Sequence, residues 1–409
     1  MARYLFYLSP QTGHTFPLVP TVLELSARGH DVTVYCGPSE AATLSRLGLA
    51  VHRVDDAIVD RAQDDWQATS LPDAYRRTMR TCLDRAPLEV ADVNRAIGLH
   101  TPDVLVVDAT SWGAGAAAQA SGLPWAWAAT WTVAIESRDV PPTGFGLAPR
   151  RDPLGLLMYA VARRWGTRFW RPVLGELNEL RGGLGLRPVR SMSELWSATA
   201  DLCLIYTAEP LEYPRSDWPA SVRLVGPGGW TPPAAEPDWL ADITVPIVLV
   251  TCSTQRQSDI RLVETALRAL AGEDVFVVAT TAGEDAAGLA VPANARVESF
   301  LPHGPVLARA SCVVCHAGLG IVQAALLAGV PVCAVPFGRD QPEVARRVQV
   351  AGVGVQLYPN RLTARRLRTA VFRAMSMRER ARTVGAQLAA AGGPATAADT
   401  LETLVPARR

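Results

Sequence analysis

The chain has 409 residues, 49% hydrophobic and 19% charged, which at about 150 residues per domain suits roughly two to three buried cores and excludes a disordered polymer. Its 40 basic residues, all of them arginine, balance 39 acidic ones to a formal charge of +1, without the basic excess of a nucleic-acid binder. The seven cysteines, at 36, 82, 203, 252, 312, 315 and 333, are scattered and odd in number, so they do not read as a disulfide framework. The opening apolar run is too short for a signal peptide, and no stretch reaches the roughly 20 apolar residues of a spanning helix. The expectation is a cytoplasmic protein with no membrane span and no nucleic-acid partner.

In chain order, strand-like runs alternate with helical ones, the pattern of parallel α/β layers. Residues 4–8 read as a buried strand, followed by a loop carrying Gly13, His14 and Pro17. A helix over 18–28 stops at Gly29, and 32–36 is the next strand. Strands over 104–107 and 124–128 flank a small-residue helix at 114–120, and Asp108 ends the first of them. From 141 to 196 the pattern loosens into Pro, Gly, Arg and Trp, read as helices and mobile loops. Strands return at 202–206 and 222–225, and residues 226–246, rich in Gly, Pro and acidic residues, form the best linker. A second βα series follows, with strands over 247–251, 275–279, 297–300, 312–315 and 332–335, a helix over 260–270, and another starting near Gly320. A helical tail rich in Ala and Arg ends the chain. Two such open sheets bind ligands at the carboxyl ends of their strands, where strand order reverses, which implies one deep cleft between them.

The strongest local signal runs from Cys315 to Gly354. His316, Gly318 and Gly320 lie between a buried strand and a helix, where backbone N–H groups and the helix N-terminus attract an anion. The reading is a diphosphate site, against a tight strand-to-helix turn without ligand. Gly329-Val330-Pro331, Pro336 and Asp340-Gln341 then follow in order. Cys312-Val313-Val314-Cys315-His316 also matches a haem-attachment pattern, but that requires export, and no second ligand pair supports zinc.

This order of parts resembles the donor-binding motif of GT-B nucleotide-sugar glycosyltransferases, the family of UDP-glucuronosyl and plant glucosyl transferases and of bacterial antibiotic glycosyltransferases. The likeness extends to Gly13-His14, Gly29-His30-Asp31-Val32, Val225-Gly226-Pro227, Ser253-Thr254 and Phe300-Leu301-Pro302-His303. It implies an α/β GT-B fold of two Rossmann-like βαβ domains facing across a deep cleft. An acceptor domain would span 1–225, a linker 226–246, a nucleotide-sugar domain 247–390, and a tail 391–409 would pack back on the first domain.

The resemblance further implies His14 as general base on the acceptor hydroxyl, with Asp108 bonded to the imidazole. His316, Gly318 and Gly320 would hold the diphosphate, Ser253 and Thr254 would add hydroxyl donors, Leu301 would offer backbone bonds to the base, and Asp340 and Gln341 would bind the sugar hydroxyls. Asp108 alone also reads as a strand-end cap ahead of Thr110 and Ser111, and Ser253-Thr254 as a helix N-cap. Trp66, Trp112, Trp131, Trp165 and Trp170 are candidates for an apolar acceptor pocket, with core packing as the competing reading. Arg163, Arg164, Arg168 and Arg171 read as a solvated helix face.

Against the family's His-Gly-Gly-x-Gly-Thr and later Glu-Ala-Leu, this chain has Ala317 for Gly, Ile321 for Thr and Ala324 for Glu. The implied activity is inverting transfer of a deoxysugar from a TDP- or UDP-sugar to a hydrophobic natural product such as a polyketide. The nucleotide-sugar is a co-substrate, no cofactor and no metal are expected, and a homodimer is left open. The rival readings are a nucleotide-sugar epimerase on the same fold and a non-catalytic partner protein, the latter motivated by the three departures.

Overall fold

Unbroken apolar runs such as Leu5-Phe6-Tyr7 and Val104-Leu105-Val106-Val107 can be buried only where both faces of a sheet are covered, and the chain builds two such sheets. A computed structural model describes residues 1–68, 70–232, 235–257 and 259–406. The chain divides into two units: Met1–Ala208 with Pro214–Trp230 and Ala391–Arg409, and Glu209–Tyr213 with Thr231–Ala390.

In the first unit β1 (Arg3–Tyr7), β2 (Asp31–Cys36), β3 (Ala50–Arg53), β4 (Val104–Asp108), β5 (Trp125–Ala129), β6 (Leu202–Ile205) and β7 (Val222–Leu224) form a seven-stranded sheet in the order β3-β2-β1-β4-β5-β6-β7. Every pair is parallel. The order runs outward in one direction from β1 and in the other from β4, so the switch point lies between these two strands, with Tyr7 beside Val107 at their ends. Helices α1 (Val19–Ala27), α2 (Leu71–His100), α3 (Trp112–Ser121) and α4 (Pro153–Gly183) cover the faces. Two apolar clusters result, one built on Leu5, Tyr7, Val107 and Trp127, the other on Tyr4, Phe6, Leu25 and Val106. The alternation of odd and even residues of β1 between these clusters is the two-residue period of a strand covered on both sides.

In the second unit β8 (Ile247–Thr251), β9 (Phe276–Thr280), β10 (Ala295–Glu298), β11 (Ala310–Cys315), β12 (Val332–Ala334) and β13 (Gly354–Gln356) are likewise parallel, in the order β10-β9-β8-β11-β12-β13. Here the switch point lies between β8 and β11, where Thr251 pairs with Cys315. Helices α5 (Ile260–Leu270), α6 (Leu319–Leu327) and α7 (Gln341–Val350) follow β8, β11 and β12. Segment Glu209–Tyr213 is held in this unit by a buried charge cluster. Arg347 donates to Glu212 at 3.0 and 3.1 Å and to Glu343 at 2.9 Å, and its guanidinium lies over the Tyr213 ring.

Four elements differ from the sequence expectation. Residues 153–183 are one helix rather than helices and loops, in spite of Pro172. The 30-residue α2 was not expected, because Pro87 and its charged residues mask its period. The strands β3 and β13 are short and incompletely buried, so they lack a continuous apolar run.

Candidate functional site

In the first unit, β1 runs into a short turn of helix, Thr12–Thr15, that carries His14. Asp108 is the last residue of the neighbouring β4 and is fully buried. The switch point thus sets the two side by side, with His14 Nδ1 3.1 Å from Asp108 Oδ2. The other carboxylate oxygen accepts the Thr110 N–H at 2.8 Å and the Thr110 hydroxyl. Asp108 thus closes a turn with Thr110 on one oxygen and meets the histidine on the other, and it does not cap α3, whose N-cap position is Ser111. Burial pushes the Asp108 carboxyl up, but the His14 charge, its hydrogen bond and the two Thr110 bonds together hold it below the ordinary carboxylate range. With Nδ1 turned to Asp108, the remaining ring nitrogen of His14 is the one that can exchange a proton with a ligand.

Glu89 of α2 lies behind this pair. Its Oε2 accepts the Gly113 N–H at 2.9 Å and the Ala114 N–H at 3.4 Å, capping α3 from another helix. Burial pushes its carboxyl up to about 7, opposed by Arg85 and the two amides, with Asp108 adding to the rise. No short motif announced Glu89, because the amides it caps lie 24 and 25 residues away.

The tryptophans separate. Trp112 is 2% exposed inside the core, so packing accounts for it. Trp131 and Trp170 are half-buried against that core, Trp131 edge-on to Trp196 and Trp170 to Phe169. Trp66 is half-buried. Trp165 is 68% exposed on α4, one helical face with exposed Leu154, Leu157 and Val161. Arg164, Arg168 and Arg171 are solvated on the same helix, as expected, whereas Arg163 is half-buried and donates to the Ser137 carbonyl at 3.2 Å.

In the second unit, His316 follows β11 and Gly318 caps α6 without any side-chain hydrogen bond, so the first amides of α6 are open to an anion. A Cβ at Gly318 would lie 2.5 Å from His316 Nε2, which is why the imidazole can pack there only over glycine. Ala317, where the family has glycine, is fully buried at φ 69°. Burial pushes His316 down to about 4, with Arg339 and His303 acting in the same direction and the Thr251 backbone opposing.

Ser253 is buried; its N–H donates to Asp259 Oδ2 at 2.8 Å and its Oγ accepts the Gln255 N–H at 3.2 Å. It does not cap α5, whose N-cap position is Asp259 instead. Thr254 is exposed in the same loop, and Leu301 is half-buried after the exposed Phe300. Asp340 is half-buried at the start of α7.

Gln341 departs from its expected role. It is 3% exposed, and both ends of its amide are used within the protein. Its Oε1 accepts from Phe337 N (2.8 Å), Gly338 N (3.1 Å) and Gln257 Nε2 (3.0 Å), while its Nε2 donates to Gln257 Oε1 at 2.7 Å. A buried amide with these bonds braces the loops after β8 and β12 and has little left for a sugar. Gln257 carries no motif that would have revealed the pair.

Among the described residues no group of three or more His, Cys, Asp or Glu could hold a metal ion, and no helix is long and apolar enough to cross a membrane. Cys312 and Cys315 are buried, unpaired members of β11.

The family model for the C-terminal domain of erythromycin biosynthesis protein CIII-like proteins matches residues 264–404. The 4'-demethylrebeccamycin synthase of Lentzea aerocolonigenes is 35% identical over 425 residues, covering 99% of this chain and 100% of that protein. The chain belongs to the GT-B natural-product glycosyltransferases of actinobacteria. Solved structures agree on the fold of this glycosyltransferase. The glycotransferase of kitacinnamycin superposes with a TM-score of 0.78 at 22% identity, covering 99% of each chain. The glycosyltransferase VinC, solved in complex with dTDP, superposes with a TM-score of 0.71 at 21% identity over 98% of this chain and 99% of that one.

Proposed function

We propose that the glycosyltransferase moves a deoxysugar from a TDP- or UDP-sugar to a hydroxyl of a hydrophobic, polyketide-type aglycone, with inversion at the anomeric carbon. The observation that carries the reading is the buried Asp108 bonded to His14 at the switch point of the first sheet. His14 takes the acceptor proton on the nitrogen opposite Asp108, and Asp108 fixes the tautomer and stabilises the imidazolium that forms. The alkoxide then attacks the anomeric carbon from the face opposite the diphosphate, in one displacement that inverts it.

Nucleotide binding falls to the second unit. His316 and the open amides of α6 stabilise the charge that grows on the leaving diphosphate, Ser253 and Thr254 add hydroxyl donors, Leu301 offers backbone bonds to the base, and Asp340 binds the sugar. The dTDP in the VinC structure supports the thymidine series, and the full-length likeness to a 4'-demethylrebeccamycin synthase supports a natural-product acceptor. Solvated Trp165 beside exposed leucines suits a hydrophobic acceptor. The seven buried, unpaired cysteines suit the reducing cytoplasm.

The test is turnover of TDP- and UDP-sugars against a panel of polyketide aglycones, with product configuration read by NMR. H14A is expected to lower kcat by about 10² to 10⁴ while nucleotide affinity, read by calorimetry, stays at the wild-type value. D108N, which keeps the shape but loses the charge, is expected to fall in the same range. Wild-type turnover in H14A would remove His14 as the base, and a product with retained configuration would remove the single displacement.

A further inference from the structure

Asp259 has no part in the roles above. It directly precedes α5, in the loop that leaves β8, and it is fully buried. Its Oδ2 accepts the Ser253 N–H at 2.8 Å, whereas its Oδ1 has no hydrogen-bond partner among the described residues. Across the switch point, His316 turns Nδ1 toward it at 3.9 Å from Oδ2, and this Nδ1 also has no hydrogen-bond partner among the described residues. A buried polar atom left unpaired costs about 1–3 kcal/mol. The unpaired Nδ1 thus stands about 1 Å beyond bonding distance from a buried carboxylate whose other oxygen is unpaired as well, a contact waiting to close.

We propose that Asp259 is a positioning residue for the nucleotide: it accepts the His316 Nδ1–H when a nucleoside diphosphate engages Nε2, and so holds the ring as an imidazolium facing the diphosphate. The inference rests on the reading of His316 and the α6 amides as a diphosphate site.

The charges around the pair give the inference a measurable signature. Burial pushes Asp259 up to about 6, opposed by the Ser253 amide and Arg339 and reinforced by Glu284. His316, pushed down to about 4, faces Arg339 and His303 as well. The Cys252 and Cys315 thiols beside Asp259 are held protonated by burial. Near neutral pH the free pair is a carboxylate and a neutral imidazole, with no positive charge to offer a diphosphate. The neutral ring carries one N–H, and one proton taken from solvent gives it two, one for Asp259 and one for the ligand. Below about pH 6 that proton already sits on Asp259, so binding only moves it from the carboxyl to the ring and none is taken up.

Calorimetric titration with UDP and with TDP, in buffers of different ionisation enthalpy, counts the protons taken up. H316Q supplies the background from the nucleotide's own titration. D259N keeps an acceptor for the Ser253 amide and a good residue ahead of α5, and removes only the charge. Above that background, wild-type protein is expected to take up close to one proton at about pH 7.5, falling away as pH drops through about 6. D259N is expected to bind about tenfold more weakly and to take up less at neutral pH, with uptake rising as pH falls.

The same proton count and trend in D259N as in wild type, with both binding, would overturn the inference. Absence of UDP and TDP binding to folded wild-type protein would instead remove the diphosphate reading beneath it. Should D259N fail to fold, the ¹⁵N shifts of His316 in the UDP complex decide: a doubly protonated ring near neutral pH supports the inference, a neutral ring refutes it.

Discussion

Ala317 sits in the left-handed region at φ 69°, fully buried between His316 and Gly318, where a side chain costs about 1–2 kcal/mol. Removing one buried methyl costs about 0.8 kcal/mol, so the relief matches or exceeds the loss. A317G is therefore expected to be as stable as wild type or more stable by up to about 1 kcal/mol in urea unfolding; a loss of more than about 1 kcal/mol would show the turn to be unstrained. Glu89 makes the pH prediction. Its folded value of about 7 lies above the ordinary 4.5, so its contribution is full below about pH 4.5 and is lost as pH rises through about 7. The total is about 3 kcal/mol, since each unit is worth about 1.4. E89Q keeps an oxygen for the Gly113 amide and should erase this slope. Denaturation of both proteins across pH checks it, and parallel curves would refute it. His14, Asp108 and His316 could be singled out because they lie at strand ends beside glycines, within motifs whose resemblance to the family implies their roles. Glu89, Gln257 and Asp259 were not, because their partners are distant in sequence or are backbone amides, and nothing in a residue's own neighbourhood records that.

Between α2 and α3 the contact is backbone against backbone. A Cβ at Gly113 would lie 1.9 Å from the Ala86 carbonyl oxygen, and one at Gly115 would lie 1.9 Å from the Trp127 ring. This explains why α3 reads Trp-Gly-Ala-Gly-Ala-Ala-Ala: small residues bring it against α2, where Glu89 reaches its first amides. G113A gains helix propensity worth about 1 kcal/mol but forces the helices apart, so a net loss of about 1–3 kcal/mol is expected, read as a lower urea midpoint. An unchanged midpoint would mean that α2 shifts freely. The sequence revealed α3 as a small-residue helix but not the helix it packs on. α2 hides its period behind Pro87, and Gly113 of α3 makes sense only once α2 is in place, as Gly115 does only beneath the Trp127 ring of β5.

At the scale of the whole chain, the two sheets were legible because most of their strands are contiguous apolar runs. The return of residues 391–409 to the first unit was implied by the family resemblance, whereas the crossing of Glu209–Tyr213 into the second unit was not legible. Glu209–Tyr213 joins the second unit through Glu212 and Arg347, 135 residues apart, and the last residues return to the first unit. Gly226 and Gly393 mark that return. A Cβ at Gly226 would lie 2.8 Å from Gly393 N, and one at Gly393 would lie 2.6 Å from Pro227 O, so the outgoing and returning backbones pass in contact. Beyond them the helix Pro394–Glu402 buries Ala397, Ala398 and Leu401 in the cluster that holds Leu18, Val22 and Leu25. Arg28 binds Asp399 at 2.6 Å and Glu402 at 2.9 Å, and His30 Nε2 lies 2.9 Å from Glu402 Oε1. The apolar contacts should carry the stability, because the ion pairs are partly solvated and worth about 1 kcal/mol or less. L401A is therefore expected to lose about 2–4 kcal/mol and E402A less than about 1. Tryptophan fluorescence in urea separates the units, since of the 11 tryptophans only Trp239 falls in the second. L401A should move the fluorescence midpoint while leaving the affinity for UDP or TDP at its wild-type value. An unmoved midpoint would mean that the terminal helix only lies on the first unit, and a matching loss from E402A would assign the anchoring to charge.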